Sequence, residues 1–258
     1  MAKERDATYL GAFRVSVQFL TRVPVPGGNQ LATREELRLA AGFFPLVGCL
    51  IGACTGLVYL GALHLYTPLL AAFLALAVEA LVTGAFHEDA LADVGDAFGG
   101  GISPEDVLRI MKDSRLGTFG ALSLMMGVLI RGLAIASLPT DQALPFLVFS
   151  AGLGRAAILA AMNLVAPVAN RESLSKDVAA LASMRMVLGG AALLAPALLW
   201  SCSLALLPSL AALALGLLTA WGISARSRAR IGGVTGDVLG TVAYVAQTMA
   251  LLALVAHP

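Results

Sequence analysis

The chain has 258 residues, of which 59% are apolar and 13% charged, and its mean hydropathy is +0.86. Soluble domains carry about 25% charged residues, so this composition excludes an ordinary water-soluble domain and predicts an integral membrane protein whose partner is the lipid bilayer. The formal net charge is +1 and the basic residues lie mainly between the apolar runs, so no nucleic acid partner is expected.

The N-terminal segment, residues 1–39, is basic and partly amphipathic. Its larger apolar side chains recur at helical spacing, at Tyr9, Leu10, Phe13, Val17 and Leu20. This spacing predicts an amphipathic helix that lies on the cytoplasmic surface or packs on the rest of the protein. The proline- and glycine-rich turn at 21–28 ends that helix.

Seven apolar runs follow, each long enough to cross a hydrocarbon core of about 30 Å. They lie near residues 42–64, 68–86, 118–138, 142–165, 185–204, 206–224 and 236–256, with a tight turn expected at 207–209. We therefore predict an all-α fold: a polytopic bundle of about seven transmembrane helices that forms one domain over residues 1–258.

Lys and Arg residues alternate between the two sides of this predicted bundle. There are six in residues 1–39 and three in each of the stretches 84–117, 166–185 and 225–235, and the turns between these stretches contain none. Positive residues favour the cytoplasmic side of a membrane. The pattern predicts a multi-pass protein of the cell (inner) membrane, with the stretches 84–117 and 225–235 in the cytoplasm.

The stretch 84–120 is the predicted cytoplasmic active site because it concentrates acidic residues. Asp89, Asp93 and Asp96 are spaced i, i+4 and i+7, which places them on one face of a helix. Their mutual repulsion, with no basic residue nearby in sequence, favours a bound cation, and hard oxygen ligands favour Mg²⁺. Glu88 points about 100° away and is a weaker ligand candidate. The alternative is a solvated acidic helix face.

Glycine, proline and capping residues predict where the helices of this stretch begin and end. Residues 86–98 are predicted to continue helically from the second apolar run until the glycines at 99–101 break the helix. Ser103 followed by Pro104 then predicts an N-cap and a short helix to about residue 113.

A cluster of polar residues comes just before the third apolar run: Lys112, Asp113, Ser114 and Arg115. Arg115 and Lys112 are candidates for binding phosphate oxygens, since arginine suits bidentate recognition and lysine acts as a point charge. The alternative is ordinary interfacial charge, which the positive-inside rule favours equally.

A glycine-rich turn at 232–237 precedes the last apolar run, and Gly232, Gly233, Thr235 and Asp237 are its candidate substrate-binding residues. Such a turn at a helix start offers free N–H groups and a positive dipole end, which is a ready anion site. Asp237 fits either a helix cap or a second metal ligand.

Three ionisable residues fall inside apolar runs: Glu79, Arg131 and Arg155. Charges at such positions are costly and usually face one another or a polar interior. Two interpretations stay open, a structural Glu–Arg pair and a pair of arginines that line a pocket for an anionic or amide-rich substrate.

Five motifs, in order, resemble the cobalamin synthase family, the adenosylcobinamide-GDP ribazoletransferases. They are FLTRVPVP at 19–26, FFPLVG at 43–48, GAFHEDALADVGDAFGG at 84–100, IMKDSRLGTFG at 110–120 and GGVTGDVLG at 232–240. Ala90 stands where this family usually has glycine, and Arg131 where lysine is common. Neither departure removes a carboxylate.

The resemblance implies transfer of adenosylcobinamide phosphate from adenosylcobinamide-GDP to the hydroxyl of α-ribazole or its phosphate. GMP would leave, and Mg²⁺ would be required. Phosphoryl transfer depends mostly on positioning and charge neutralisation. A metal bound by Asp89, Asp93 and Asp96, together with Arg115, would provide both. The oligomeric state, including a homo-oligomer, is left open.

Two other functions are alternatives for the same residues. A phospholipid-type phosphotransferase also clusters aspartates at a membrane surface, but its D-x-x-D-G-x-x-A-R pattern is missing from this sequence. A transporter would use Glu79, Arg131 and Arg155 as its pathway, but the acidic residues cluster at one face and no inverted repeat is visible.

Overall fold

The computed structural model describes residues 8–26, 33–168 and 183–256. Within these ranges every regular element is helical, which confirms the all-α prediction. The helices are α1 (Tyr9–Leu20), α2 (Arg34–Ala40), α3 (Phe44–Ala62), α4 (Pro68–Thr83), α5 (Phe86–Gly100), α6 (Pro104–Ile110), α7 (Thr118–Ala136), α8 (Ala143–Leu164), α9 (Met184–Leu204), α10 (Leu206–Ile231) and α11 (Gly236–Val255).

The protein is a multi-pass membrane protein, as the sequence predicted. Six segments of the described chain are long and apolar enough to cross a membrane. They are Glu35–Ala62, which comprises most of α2 and all of α3, and the helices α7, α8, α9, α10 and α11. The bent pair formed by α4 and α5 would supply a seventh crossing. The apolar arm of that pair is α4, whereas α5 carries four carboxylates.

The junction between α4 and α5 is a sharp bend, not the continuous helix that the sequence predicted. The two helix axes meet at 92°. Gly84 and Ala85 both have left-handed backbones, with φ of 70° and 56°, and two such residues in succession reverse the local helical sense. The prediction that residues 86–98 extend the second apolar run was therefore wrong, although those residues are helical.

Three predicted boundaries need smaller corrections. Helix α10 continues to Ile231, so most of the predicted basic loop at 225–235 is helix. The break between α9 and α10 is at Ala205 and not at 207–209. The short helix α6 ends at Ile110, three residues before the predicted end, and the predicted N-cap is confirmed because the Ser103 side chain accepts from the Asp106 N–H.

Helix α1 packs on the bundle, the second of the two arrangements expected for it. The Ser16 hydroxyl donates to the carbonyls of Ala12 and Ala40, which ties α1 to α2. Leu20 is buried, but Tyr9 and Leu10 are 75% and 58% exposed. The buried side of α1 is therefore centred on its small residues and Leu20, and not on the whole predicted apolar face.

The centre of the bundle is formed by α8 and α11, each of which is mostly buried within the protein. Helix α3 lies so close to α8 that a Cβ at Gly48 would be 2.5 Å from the Ala151 carbonyl oxygen. A Cβ at Gly52 would overlap the Leu147 carbonyl oxygen. Small residues thus let these two backbones approach, as is common between membrane helices.

Candidate active site

Helix α5 lies between α7 and α11 and presents its acidic face to a cleft. Gly99 faces Phe119 and Gly95 faces Ser123, so α5 runs antiparallel to the first turns of α7. On its other side, the Thr241 hydroxyl of α11 donates to the Ala90 carbonyl at 2.9 Å. Small residues of α5 form these two contacts, and Glu88, Asp89 and Asp93 line the cleft, whereas Asp96 faces the start of α7.

The cleft has a volume of about 510 Å³, within the usual range of ligand sites. It brings together residues that are distant in sequence: Arg22, Gly84, Ala85, Phe86, Glu88, Asp89, Ala92, Asp93, Ser114, Arg115, Leu116 and Leu124. Five predicted site residues are among them, namely Glu88, Asp89, Asp93, Ser114 and Arg115. The sequence had assigned no role to Arg22, although it lies in the first of the five motifs.

Asp93 is at the centre of a group of carboxylates. Burial raises the pKa of the Asp93 carboxyl from its ordinary value to about 6. Three neighbouring carboxylates contribute to this rise in the pKa, those of Asp89, Asp237 and Asp96. Asp237 comes from the first turn of α11. Thr235 is the N-cap of α11, so the structure does not give that role to Asp237, and its role as a metal ligand stays a prediction.

Asp96 differs from its two neighbours because the first turn of α7 occupies its carboxylate. The Gly117 N–H donates to one oxygen at 2.7 Å and the Gly120 N–H to the other at 2.8 Å. Asp96 thus satisfies two of the N–H groups that a helix start leaves without partners, and its charge complements the positive end of α7. In the described ranges no three His, Cys, Asp or Glu side chains converge to hold one metal ion.

Arg115 stands at the edge of the cleft with its guanidinium held by Asp113. Its Nε lies 3.0 Å from Asp113 Oδ1 and its Nη2 lies 2.6 Å from Asp113 Oδ2. The hydrogen bonds from Arg115 hold the pKa of the Asp113 carboxyl down at about 2. Lys112 is exposed on the same segment and is not part of the cleft wall.

The glycine-rich turn has a structural role that the sequence did not indicate. Gly232 ends α10 in a left-handed conformation, with φ of 76°. A Cβ at Gly233 would lie 2.7 Å from both the Ala166 carbonyl oxygen and the Val168 nitrogen. Gly233 is therefore required where the turn packs on the backbone after α8. The predicted phosphate contact of this turn stays a prediction.

The buried charges form one network that starts at the cleft. Arg131 Nη2 lies 2.8 Å from Glu79 Oε1, and both side chains are at most 3% exposed. Arg131 Nη1 lies 3.6 Å from Glu88 Oε1, and Glu88 is also part of the cleft wall. The Thr55 hydroxyl donates to the second Glu79 oxygen at 2.9 Å. For Arg131 the structure therefore has the Glu–Arg pair, the first of the two interpretations.

Arg155 belongs to the same network through Gln247 and His87. Its Nη1 donates to the Gln247 side-chain oxygen, and its Nη2 lies 3.4 Å from His87 Nδ1. Gln247 Nε2 lies 3.4 Å from Glu79 Oε1, which closes the connection to Arg131. Neither arginine lies in the wall of the cleft, so substrate contact by Arg131 or Arg155 stays a prediction.

A multi-pass helical membrane protein with a carboxylate-lined, arginine-flanked cleft has the make-up of a membrane phosphotransferase, because such a cleft suits phosphate and a divalent cation. The chain belongs to the cobalamin-5-phosphate synthase family, whose model matches residues 12–255.

Relatives named adenosylcobinamide-GDP ribazoletransferase cover nearly the whole chain. The Rhizobium johnstonii protein is 37% identical over 93% of this chain and 94% of its own length. The Ralstonia nicotianae protein is 36% identical over 94% of this chain and 93% of its own, and the Sinorhizobium medicae protein 38% over 93% and 94%. No solved structure matches the chain.

Proposed function

We propose that this protein transfers the adenosylcobinamide phosphate of adenosylcobinamide-GDP to the hydroxyl of α-ribazole or its 5′-phosphate. The ribazole oxygen forms a bond to the phosphorus that carries the corrinoid, and the hydroxyl loses its proton. The bond from that phosphorus to the bridging oxygen of the diphosphate breaks, and GMP leaves with the bridging oxygen. The products are adenosylcobalamin or its phosphate and GMP. The observation that carries this proposal is that Asp89 and Asp93 line one cleft together with Ser114 and Arg115, in a chain of this family.

The carboxylates of the cleft fit a magnesium ion in chemical type and in charge. Mg²⁺ prefers oxygen ligands and is usually bound by one or two carboxylates together with substrate phosphates, so a three-residue protein cage is not needed. Asp89 and Asp93 would hold the ion together with phosphate oxygens of the substrate, while Asp96 stays with α7. When bound, the ion would neutralise charge on the phosphate oxygens.

The side chains around these carboxylates have separate tasks in the proposed reaction. Ser114 and Arg115 line the same cleft as Asp89 and Asp93, so they would contact the phosphates there. Glu88 pairs with Arg131 instead of joining the ligands, and it would keep the floor of the cleft fixed. A rigid floor favours in-line geometry, which phosphoryl transfer requires.

The site is proposed to open to the cytoplasm of a cell whose inner membrane holds the protein. The support is the distribution of Lys and Arg, which are concentrated in every second connection, including that between α5 and α7. A charged nucleotide-activated corrinoid and α-ribazole would then reach the cleft without crossing the membrane.

Purified protein in detergent or liposomes tests the activity directly. It is mixed with adenosylcobinamide-GDP and α-ribazole, with Mg²⁺ or with EDTA, and GMP and corrinoid products are separated by chromatography. We expect equal amounts of GMP and adenosylcobalamin with Mg²⁺ and neither with EDTA. Product formed equally well in EDTA would remove the metal from the proposal. Absence of GMP in every mixture, as a transporter would give, would refute the activity itself.

A further inference from the structure

Arg22 is held at the rim of the cleft by its own backbone. It follows α1, and its N–H donates to the Val82 carbonyl in the last turn of α4 at 2.7 Å. Its side chain forms part of the wall that also contains Asp89 and Asp93. A residue near the N-terminus is thus attached to the bend between α4 and α5.

The bend itself leaves the space that the Arg22 side chain occupies. A Cβ at Gly84 would overlap the Arg22 guanidinium nitrogen Nε and come within 2.8 Å of its Cδ. Gly84 is therefore required twice, once for its positive φ and once for this contact. The Arg22 side chain thus packs against the residue that ends α4, at the bend that precedes the acidic helix.

The two arginines of the cleft differ in their partners. The Asp113 carboxylate accepts hydrogen bonds from both Nε and Nη2 of Arg115. The paired N–H groups that Arg115 would use for bidentate binding are therefore already engaged. Within the described chain, no carboxylate forms an ion pair with Arg22. A guanidinium whose paired N–H groups form no ion pair with a described carboxylate, and which lies beside the carboxylates that would hold a cation, is suited to bidentate binding of phosphate oxygens.

We propose that Arg22 is a phosphate-binding residue that holds the diphosphate of the nucleotide-activated substrate against the carboxylates of α5. The inference rests on the proposed function for the identity of the substrate. The ligand class that it names is a nucleoside diphosphate, which carries two phosphates close enough together for one to meet the cation and the other the guanidinium.

The test measures binding of GDP with Mg²⁺ to the purified full-length protein, by calorimetry in detergent. Arg22→Gln keeps the backbone hydrogen bond to Val82 and removes the charge, and Arg22→Lys keeps the charge without the fork. Arg14→Gln is the matched control, since Arg14 lies on α1 outside the cleft wall. We expect Arg22→Gln to weaken GDP binding at least tenfold and Arg22→Lys to weaken it less, with unchanged melting temperatures, while Arg14→Gln binds normally.

Several outcomes would overturn the inference. GDP affinity of Arg22→Gln within twofold of the unchanged protein would show that Arg22 does not hold phosphate. An equal loss in Arg14→Gln would show a general charge effect. If the unchanged protein forms GMP and corrinoid product and Arg22→Gln does so with the same KM, only the inference fails. If the unchanged protein neither binds GDP nor forms GMP, the proposed function fails with it.

Discussion

At the scale of single residues, the three aspartates of α5 divide into two kinds. Asp89 and Asp93 face the cleft, whereas Asp96 accepts hydrogen bonds from the N–H groups of Gly117 and Gly120. Because all three lie on one helical face, the sequence predicts the same role for each of them. The difference comes from the first turn of α7, which meets only the last of them.

This division predicts different consequences for the three positions. Asp89→Asn and Asp93→Asn should each reduce turnover by about 10² or more, the usual cost of losing a charge that stabilises the transition state, and should leave the melting temperature nearly unchanged. Asp96→Ala should instead cost about 1–2 kcal/mol of stability, as loss of a helix cap does. Turnover and thermal melts in detergent measure both. A stable Asp96→Ala protein would contradict the capping role.

The raised pKa of Asp93 predicts a pH effect on stability in EDTA. The folded protein holds the Asp93 proton up to about pH 6, whereas the unfolded chain releases it near pH 4, so folded protein binds more protons between these values. Stability from this group is therefore lost as the pH rises from about 4 to 6. The melting temperature should fall over that window, and Asp93→Asn should reduce the fall. Identical pH profiles of the melting temperature for the two proteins would contradict the crowding of carboxylates. Added Mg²⁺ at pH 7 should raise the melting temperature of the unchanged protein but not that of Asp93→Asn.

The residues of the site were predictable to the extent that local spacing determines them. The shared face of Asp89 and Asp93 follows from helical geometry alone. The pairing of Arg115 with Asp113 and the place of Arg22 in the cleft depend on how loops fold back, and no local pattern encodes that. Arg22 could have been suspected only from its position within a conspicuous motif.

At the scale of elements, the bend between α4 and α5 decides how the acidic face is presented. A straight continuation would have carried the aspartates away from α11. The bend instead sets α5 antiparallel to the starts of both α7 and α11, so that Asp237 joins the group. The apolar run and the glycine at 84 were visible in the sequence, but the left-handed alanine at 85 was not, because alanine normally favours helix.

Ala85 should be a strained position. A left-handed backbone costs a non-glycine residue about 1–2 kcal/mol, so Ala85→Gly should raise the stability by about 1 kcal/mol. The same substitution at Ala77, inside α4, should lower the stability by a similar amount. Thermal melts of the two variants in one detergent compare them. A lower melting temperature for Ala85→Gly than for Ala77→Gly would contradict the strained bend.

At the scale of the whole molecule, membrane crossings were predictable because apolar length sets them. The described residues supply six or seven crossings, in agreement with the predicted count of about seven, and the errors concentrate at helix ends. Helix α10 continues through three arginines because its last turns pack on the rest of the protein: Arg230 donates to the carbonyls of Phe98 and Gly101. Hydropathy averaged along the sequence does not predict such tertiary contacts, so it places the end of this helix too early.

The orientation in the membrane can be tested with single cysteines in a variant that lacks Cys49, Cys54 and Cys202. Leu65→Cys lies in the turn between α3 and α4 and Ile102→Cys between α5 and α6, where the native side chains are 79% and 91% exposed. In intact cells an impermeant maleimide should label Leu65→Cys, and it should label Ile102→Cys only after the membrane is opened. The reverse pattern would place the cleft on the outer side.

The central claim is that the Asp89 and Asp93 carboxylates and a nucleoside diphosphate bind one divalent cation together. Mn²⁺ can replace Mg²⁺ among oxygen ligands and is detected by electron paramagnetic resonance. The account predicts weak binding of one Mn²⁺ to the purified protein, stronger binding when GDP is added, and loss of both in Asp93→Asn. Equal Mn²⁺ binding by Asp93→Asn and the unchanged protein, or no effect of GDP on it, would contradict the account.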